Sequence, residues 1–351
     1  MNALTQEAIA LLKDLIAIQS FSSAEDQTAA RIEQWFSDHY IPCERIQNNV
    51  FACNAHFKED KPTLLLNSHH DTVKPNSAYT KDPFHPHVED GKLYGLGSND
   101  AGGALVSLIA LFTHYYEHPN PSYNLIIAAT AEEESSGPNG LNSLLPQLPP
   151  IDVAIVGEPT LMQLAIAEKG LVVFDGKVEG TASHAAHPNA DNPILKLPKV
   201  IEWLQAFSFE KSSDVLGPVK LTVTQVNAGK QHNVVPAAVD LVIDVRVNDC
   251  YSNQEIVDLL QKDAPLTLTP RSTDLNSSAI PIDHPLVAAG LALGRETYGS
   301  PTLSDQAKLS CPSLKLGPGD STRSHTADEY IYVQEIEEGI ALYIALLNKI
   351  L

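Results

Sequence analysis

Five short stretches of the chain carry side chains able to hold cations and move protons. They are Ser68-His69-His70-Asp71, Gly97-Ser98-Asn99-Asp100, Glu132-Glu133-Glu134, Gly157-Glu158-Pro159 and Ser324-His325-Thr326-Ala327-Asp328-Glu329. Two imidazoles, His69 and His325, stand with the carboxylates of Asp100, Glu133, Glu134 and Glu158. Two imidazoles and three carboxylates suffice for a pair of divalent ions when one carboxylate bridges, and a further carboxylate is left to act as a base. The chemistry this set points to is hydrolysis at a two-metal site.

Each stretch alone has an ordinary explanation. Alternate residues of an extended segment share a face, so Asp71 is placed to accept a hydrogen bond from the far nitrogen of a metal-bound His69. H-x-D is equally a polar turn after a strand. Asp100 precedes a helical run and could cap it, while the glycines around it let backbone approach a buried ion. Glu132-Glu133-Glu134 reads as a solvated acidic loop; coming straight off the apolar run Leu125 to Ala129, it is instead expected to point into a crevice, with one glutamate on metal and one as base. Pro159 stiffens the backbone after Glu158, and His325 follows the turn-rich Gly317 to Ser324. His85-Pro86-His87 and His39, His56, His114, His118 and His284 are set aside as turn or surface histidines.

These residues need elements to hold them. Amphipathic helices are expected around Ile9, Leu12, Leu15 and Ile16 and around Ile32, Trp35 and Phe36, with a third over 103–116. Wholly apolar strands at 63–66, 124–129 and 153–156 alternate with helical runs, the pattern of a mostly parallel sheet covered by helices, an α/β domain. His69, Glu133, Glu134 and Glu158 follow those strands at their carboxyl ends, the edge where open α/β sheets bind ligands. From about Lys169 the order becomes strand (171–178), helix (193–207), strand (219–226), strand (238–247), helix (254–261), strand (266–270), the split pattern of a ferredoxin-like α+β domain. The chain then returns to close the first domain with a helix over 333–347. The expected division is 1–169 and 279–351 for a catalytic, metal-binding domain, with 170–278 inserted.

A chain of 351 residues, 43% hydrophobic and 19% charged, is long enough for two domains with their own cores. Its net charge of −20 argues against nucleic acid and anionic membrane as partners. Cys43, Cys53, Cys250 and Cys311 form no C-x-x-C pair and read as free thiols of a reducing compartment. The N-terminus lacks the pattern of a signal peptide, and the longest apolar run, 104–112, is too short to span a bilayer. The expected compartment is the cytoplasm.

In these motifs the chain resembles the M20 family of metallopeptidases and amidohydrolases, the group of acetylornithine deacetylase and succinyl-diaminopimelate desuccinylase. The likeness runs through nearly the whole chain. It implies one ion on His69, Asp100 and Glu158 and another on Asp100, Glu134 and His325, with Asp100 bridging. The ions are expected to be zinc, with cobalt or manganese also compatible with this donor set. It implies Glu133 as general base and Asp71 as the acid accompanying the first histidine. It further implies that the inserted domain dimerises the protein and that His184, in Gly180-Thr181-Ala182-Ser183-His184-Ala185-Ala186-His187-Pro188, stabilises the oxyanion in the partner's site. Asn233 and Arg246, in the Gln231–Pro236 and Asp244–Arg246 stretches, become candidate substrate contacts, with Lys169 and Arg323 as further cations for a carboxylate. A structural ion pair is the competing explanation of Arg246.

Leu96, Asp191 and the lysine-free Asp100-Ala101-Gly102-Gly103 depart from common family patterns without removing a ligand. Gly95 to Ala101 and Arg323 to Glu329 look most like the acetylornithine deacetylase branch. The resemblance therefore implies hydrolysis of a small N-acyl amino acid, first N2-acetyl-L-ornithine, giving L-ornithine and acetate in arginine biosynthesis. N2-succinyl-L-ornithine, acetylcitrulline, succinyl-diaminopimelate and dipeptides are the alternatives. A non-catalytic metal-dependent binding protein is the alternative of a different class, and such a protein has no use for Glu133.

Overall fold

A computed structural model describes residues 3–119 and 121–351. The chain forms two compact units, one of Met1–Ile166, Ala279–Tyr298 and Ser304–Leu351, the other of Ala167–Ser278 and Gly299–Leu303. The first boundary thus falls after Ile166 rather than Lys169. Residues 299–303 go with the inserted unit, where Lys169 N donates to Ser300 O (3.2 Å).

The larger unit is built on a mixed sheet whose centre is parallel. Its four central strands stand in the order Asn124–Thr130, Thr63–His69, Val153–Val156 and Ser313–Lys315. Asn49–Cys53 and Glu44–Ile46 extend it antiparallel at one side. The first three central strands are buried along their whole length, so they read as unbroken apolar runs.

Alternate residues of these strands serve two cores, because successive side chains point to opposite faces. Leu64, Leu66, Leu125, Ile127 and Ile155 pack with the helices Ala3–Ile16, Gly103–Tyr115 and Val333–Leu347. Leu65, Ile126 and Ala154 pack on the other face with Phe51, Leu141 and Leu144. The helix Gly103–Tyr115 is buried almost all round, as its near-continuous apolar sequence requires. A small antiparallel sheet of His87–Glu89, Lys92–Tyr94 and Tyr330–Tyr332 sets residue 329 beside the turn that follows Tyr94.

The inserted unit is a four-stranded antiparallel sheet in the order Lys220–Ala228, Ala238–Val247, Gly170–Glu179, Thr267–Pro270. Helices Pro193–Ala206 and Asn253–Lys262 cover one face, and Val239, Leu241, Ile243, Val245 and Val247 alternate into that core. Chain order and sheet order together are ferredoxin-like. Among the described residues no helix is long and apolar enough to cross a membrane.

Candidate active site

The carboxyl ends of the central strands deliver His69, Glu133, Glu134 and Glu158 to one place, and the turn before the helix Gly103–Tyr115 adds Asp100. His69 is the last residue of its strand and is 1% exposed. Its Nδ1 lies 3.0 Å from the carbonyl oxygen of Asp71, which only accepts, so the ring proton sits on Nδ1. Nε2 is buried without a hydrogen-bond partner. It faces Asp100 Oδ1 at 3.5 Å, Glu158 Oε1 at 3.8 Å and Glu133 Oε2 at 3.9 Å. A neutral ring would aim a lone pair at three carboxylates, so this nitrogen calls for a proton or a metal cation among them.

The second imidazole approaches from a loop. His325, in a left-handed backbone conformation (φ 59°), brings Nε2 to 3.0 Å from Glu134 Oε2 and 3.5 Å from Asp100 Oδ2. Asp100 thereby offers one oxygen toward each histidine, as a bridging ligand must. Two sets of donor atoms lie mutually within 4.8 Å: His69, Asp100 and Glu134, and His69, Glu133 and Glu158. Glu133, expected only as a base, thus also stands where a ligand would.

Protonation follows the crowding of like charges. Burial, then the neighbouring acids Glu158, Asp305 and Glu134, raise Glu133 well above the ordinary carboxylate range against the pull of His69. Burial and Asp100 push Glu158 up to about 8. Burial disfavours charge on His69, but Glu133, Asp100, Asp71 and Glu158 outweigh it and raise its pKa. The hydrogen bond to Glu134 takes His325 up to about 9. The site takes up positive charge as protons, and divalent ions supply it with donors already in place. The residues fit a metal.

Around this set lies a shell of buried acceptors. Asp71 was expected to brace His69 through its carboxylate. Its backbone carbonyl is the nearer partner, with the carboxylate at 3.3 Å. The carboxylate also accepts from Ser22 Oγ (2.7 Å) and from the backbone N–H groups of Glu133 (3.0 Å) and Glu134 (3.2 Å), so it shapes the glutamate turn as well. Burial opposes charge there, and the His69 and Ser22 hydrogen bonds outweigh it, holding Asp71 below the usual range. Glu132, the remaining acid of the triplet, accepts from Ser23 Oγ and from both Asn139 N and Nδ2, and so is occupied in fixing the loop.

Three further residues of this shell escaped sequence reasoning. Asp305 accepts from Thr130 Oγ1 (2.7 Å), and burial pushes it up to about 6. His70 is held between Thr28 Oγ1 and Asn48 O, and burial takes it down to about 4. Glu329 accepts three backbone N–H groups of the Asp100 turn. His70 and Glu329 lie within the motif stretches of the sequence, and Asp305 lies in none of them.

The candidate substrate residues have other surroundings. Both donor edges of Arg323 meet Glu335 (2.7 and 3.0 Å), and its guanidinium lies over Tyr330 and Tyr332. His184, Asn233, Arg246 and Lys169 belong to the inserted unit. There Ser183–His184 pairs antiparallel with Val234–Val235, and Ala185 N donates to Asn233 O (2.9 Å), so His184 and Asn233 share one exposed two-stranded ribbon. The Ala186 N–H donates to His184 Nδ1 (3.1 Å), which leaves the neutral ring its proton on Nε2. Arg246 pairs with Asp244 through two nitrogens (2.9 and 3.1 Å). Lys169 Nζ donates to Pro218 O (2.9 Å).

A parallel sheet bearing a histidine–carboxylate cluster at its carboxyl edge, with a ferredoxin-like insertion, defines a metal-dependent amidohydrolase. Residues 65–349 match the model of peptidase family M20/M25/M40, and the chain belongs to that family. It is 26% identical over 370 residues to succinyl-diaminopimelate desuccinylase 2 of Ruegeria sp. (strain TM1040), covering 94% of this chain and 91% of the relative. It is 27% identical over 380 residues to succinyl-diaminopimelate desuccinylase of Xanthomonas campestris pv. campestris (strain B100), covering 99% and 100%. Its fold matches the M20 family metallo-carboxypeptidase Sso-CP2 from Sulfolobus solfataricus with a TM-score of 0.77 at 16% identity, over 98% of this chain and 99% of that one.

Proposed function

We propose that this chain hydrolyses the amide of an N-acylated diamino acid at a two-metal site, with N2-acetyl-L-ornithine its first substrate. The observation that carries the hydrolytic reading is the Nε2 of His69, without a hydrogen-bond partner and facing the carboxylates of Asp100, Glu133 and Glu158. His69, Asp100 and Glu158 would hold one divalent ion and Asp100, Glu134 and His325 the other, supplying Lewis acidity that polarises an amide carbonyl and acidifies a water near neutral pH.

Glu133, with a pKa already raised by burial, takes the proton of the attacking water and returns it to the departing amine nitrogen. Asp71 keeps the Glu133 and Glu134 turn in register with His69 through the hydrogen bonds described above. His184 is assigned the carbonyl oxygen, toward which its Nε2–H donates as charge develops. In this reading the donor comes from a second copy of the chain, joined through the inserted unit. The sheet edge at Lys220–Ala228 and the exposed Ile194 and Leu195 support such an assembly. Zinc is the expected ion.

An uncharged acyl group is supported by the state of the candidate cations. Arg246, Arg323 and Lys169, the groups expected to receive an extra carboxylate, each have a partner within the chain. The second substrate reading, N-succinyl-diaminopimelate, is supported by the names of relatives that cover nearly the whole chain.

Amine release by zinc-loaded protein should be compared for N2-acetyl-L-ornithine, N2-succinyl-L-ornithine, acetylcitrulline, N-succinyl-diaminopimelate and a dipeptide. Fastest release from acetylornithine is expected. Preference for a succinyl substrate would overturn the uncharged acyl pocket, and release from none would overturn the diamino-acid reading. Light scattering across a dilution series checks the dimer.

A further inference from the structure

Glu329 lies four residues beyond His325 and is 1% exposed. Its Oε1 accepts the N–H groups of Asn99 (2.8 Å) and Asp100 (3.0 Å), and its Oε2 accepts that of Gly97 (3.2 Å). Its own carbonyl accepts Gly95 N (3.0 Å), in line with the pairing of Lys92–Tyr94 and Tyr330–Tyr332.

The turn so gathered is tight. Gly97 has φ 75°, a Cβ added there would meet Thr72 Cγ2 at 2.6 Å, and Gly102 N returns to Gly97 O (3.0 Å). Three convergent backbone N–H groups make a concavity that attracts an anion, and here a carboxylate of the chain itself fills it. Asp328 anchors the same loop elsewhere, accepting Thr80 N (2.8 Å) and Lys81 N (2.9 Å). One short segment therefore presents His325, fastens itself at Asp328 and shapes the Asp100 turn at Glu329.

We propose that Glu329 is a positioning residue: by gathering the Gly97, Asn99 and Asp100 N–H groups it sets the direction of the Asp100 carboxylate and locks it to His325, so that the two approach an ion as one unit. The inference rests on the reading of Asp100 and His325 as ligands, though the bracing itself does not. Without an acceptor at 329, three buried donors lose their partner and the turn must rearrange.

The test compares Glu329→Ala, Glu329→Gln and Asp100→Ala in the full chain, by Zn2+ titration against a chromophoric chelator and by hydrogen exchange of the segment 94–103. Glu329→Ala should weaken Zn2+ binding about 10- to 100-fold, the loss typical of an outer partner of a metal ligand. It should also deprotect 94–103 while the strand Thr63–His69 keeps its protection. Glu329→Gln retains an oxygen for Asn99 and Asp100 but turns a donor toward Gly97, so its losses should lie between wild type and alanine. If the alanine variant fails to fold, the glutamine variant carries the test. Unchanged Zn2+ affinity and exchange in a folded Glu329 variant overturn the proposal. Asp100→Ala should lose Zn2+ with little change in the 94–103 amides. Should it keep wild-type Zn2+ affinity while Glu329→Ala deprotects the turn, the ligand reading fails and the bracing stands.

Discussion

The metal-site candidates of the parallel-sheet unit, the half-exposed His325 apart, and the substrate candidates of the inserted unit are held in opposite ways. His69, Asp71, Asp100, Glu133 and Glu158 are largely buried, and the turns that carry the acids are tied by backbone N–H groups to Asp71 and Glu329. His184 and Asn233 stand on an exposed two-stranded ribbon, fixed by a few main-chain hydrogen bonds. Cation ligands must be held against mutual repulsion, which takes buried bracing. A group that engages a carbonyl oxygen only as charge develops has no such repulsion to resist, and exposure leaves it accessible.

The sharpest way to break this comparison is Glu133→Ala. It should lower kcat by about 10²- to 10⁴-fold, the usual contribution of a positioned base, while both ions stay bound. Loss of an ion along with activity, seen by elemental analysis, would move Glu133 from base to ligand, a role its closeness to His69 and Glu158 also allows.

Next in size is His184→Ala, expected to lower kcat by about 10²- to 10³-fold, as removal of one oxyanion donor does. Its melting temperature and metal content should match wild type, since the side chain is exposed. A fall in melting temperature of several degrees would mean that the ribbon histidine is structural.

Removing metal probes the repulsion itself. In the metal-free protein Glu158 titrates near 8 rather than its ordinary 4.5, and His325 near 9 rather than 6.5. Both are raised, so the folded form holds these protons more tightly than the unfolded one. Their contribution to stability is complete below pH 4.5 and 6.5 respectively and is gone above about 8 and 9. Chelated protein should therefore lose melting temperature relative to zinc-loaded protein as pH rises from 5 toward about 9. A difference that does not change with pH would show that these groups carry no such linkage.

The smallest effects separate the two arginines. Arg323→Ala breaks a half-buried bidentate pair with Glu335 and should cost about 1–3 kcal/mol of stability with KM unchanged. Arg246→Ala leaves a more exposed pair and should cost less than about 1 kcal/mol. If Arg246 binds substrate, its KM rises instead. A raised KM for the Arg323 variant would return that residue to the substrate site.

Much of this arrangement is legible before any coordinates. The runs at 63–66, 124–129 and 153–156 read as buried strands between helices, and the alternation Val239, Leu241, Ile243, Val245 as a half-buried one. The short antiparallel strands Glu44–Ile46 and Asn49–Cys53 went unread, since so few residues display no period. Motif order was enough to bring His69, Asp100, Glu133, Glu134, Glu158 and His325 under consideration together. It left open which carboxylate faces which imidazole.

What the sequence determined by itself is whatever a side chain's own chemistry and spacing declare: strand and helix periods, the strand ends that bear acids, and the donor types a metal needs. The tertiary structure alone decided who braces whom. Every residue but proline carries the same backbone N–H, so nothing in the letters Gly97, Asn99 and Asp100 names Glu329 as their acceptor, or in Glu133 and Glu134 names Asp71. Arg323 is likewise unmarked in sequence as paired or free. Glu335, its partner, is set by the path of a loop that exists only once the chain has folded, whereas Asp244 lies two residues from Arg246 on the same face of one strand, a pairing the alternation itself offers.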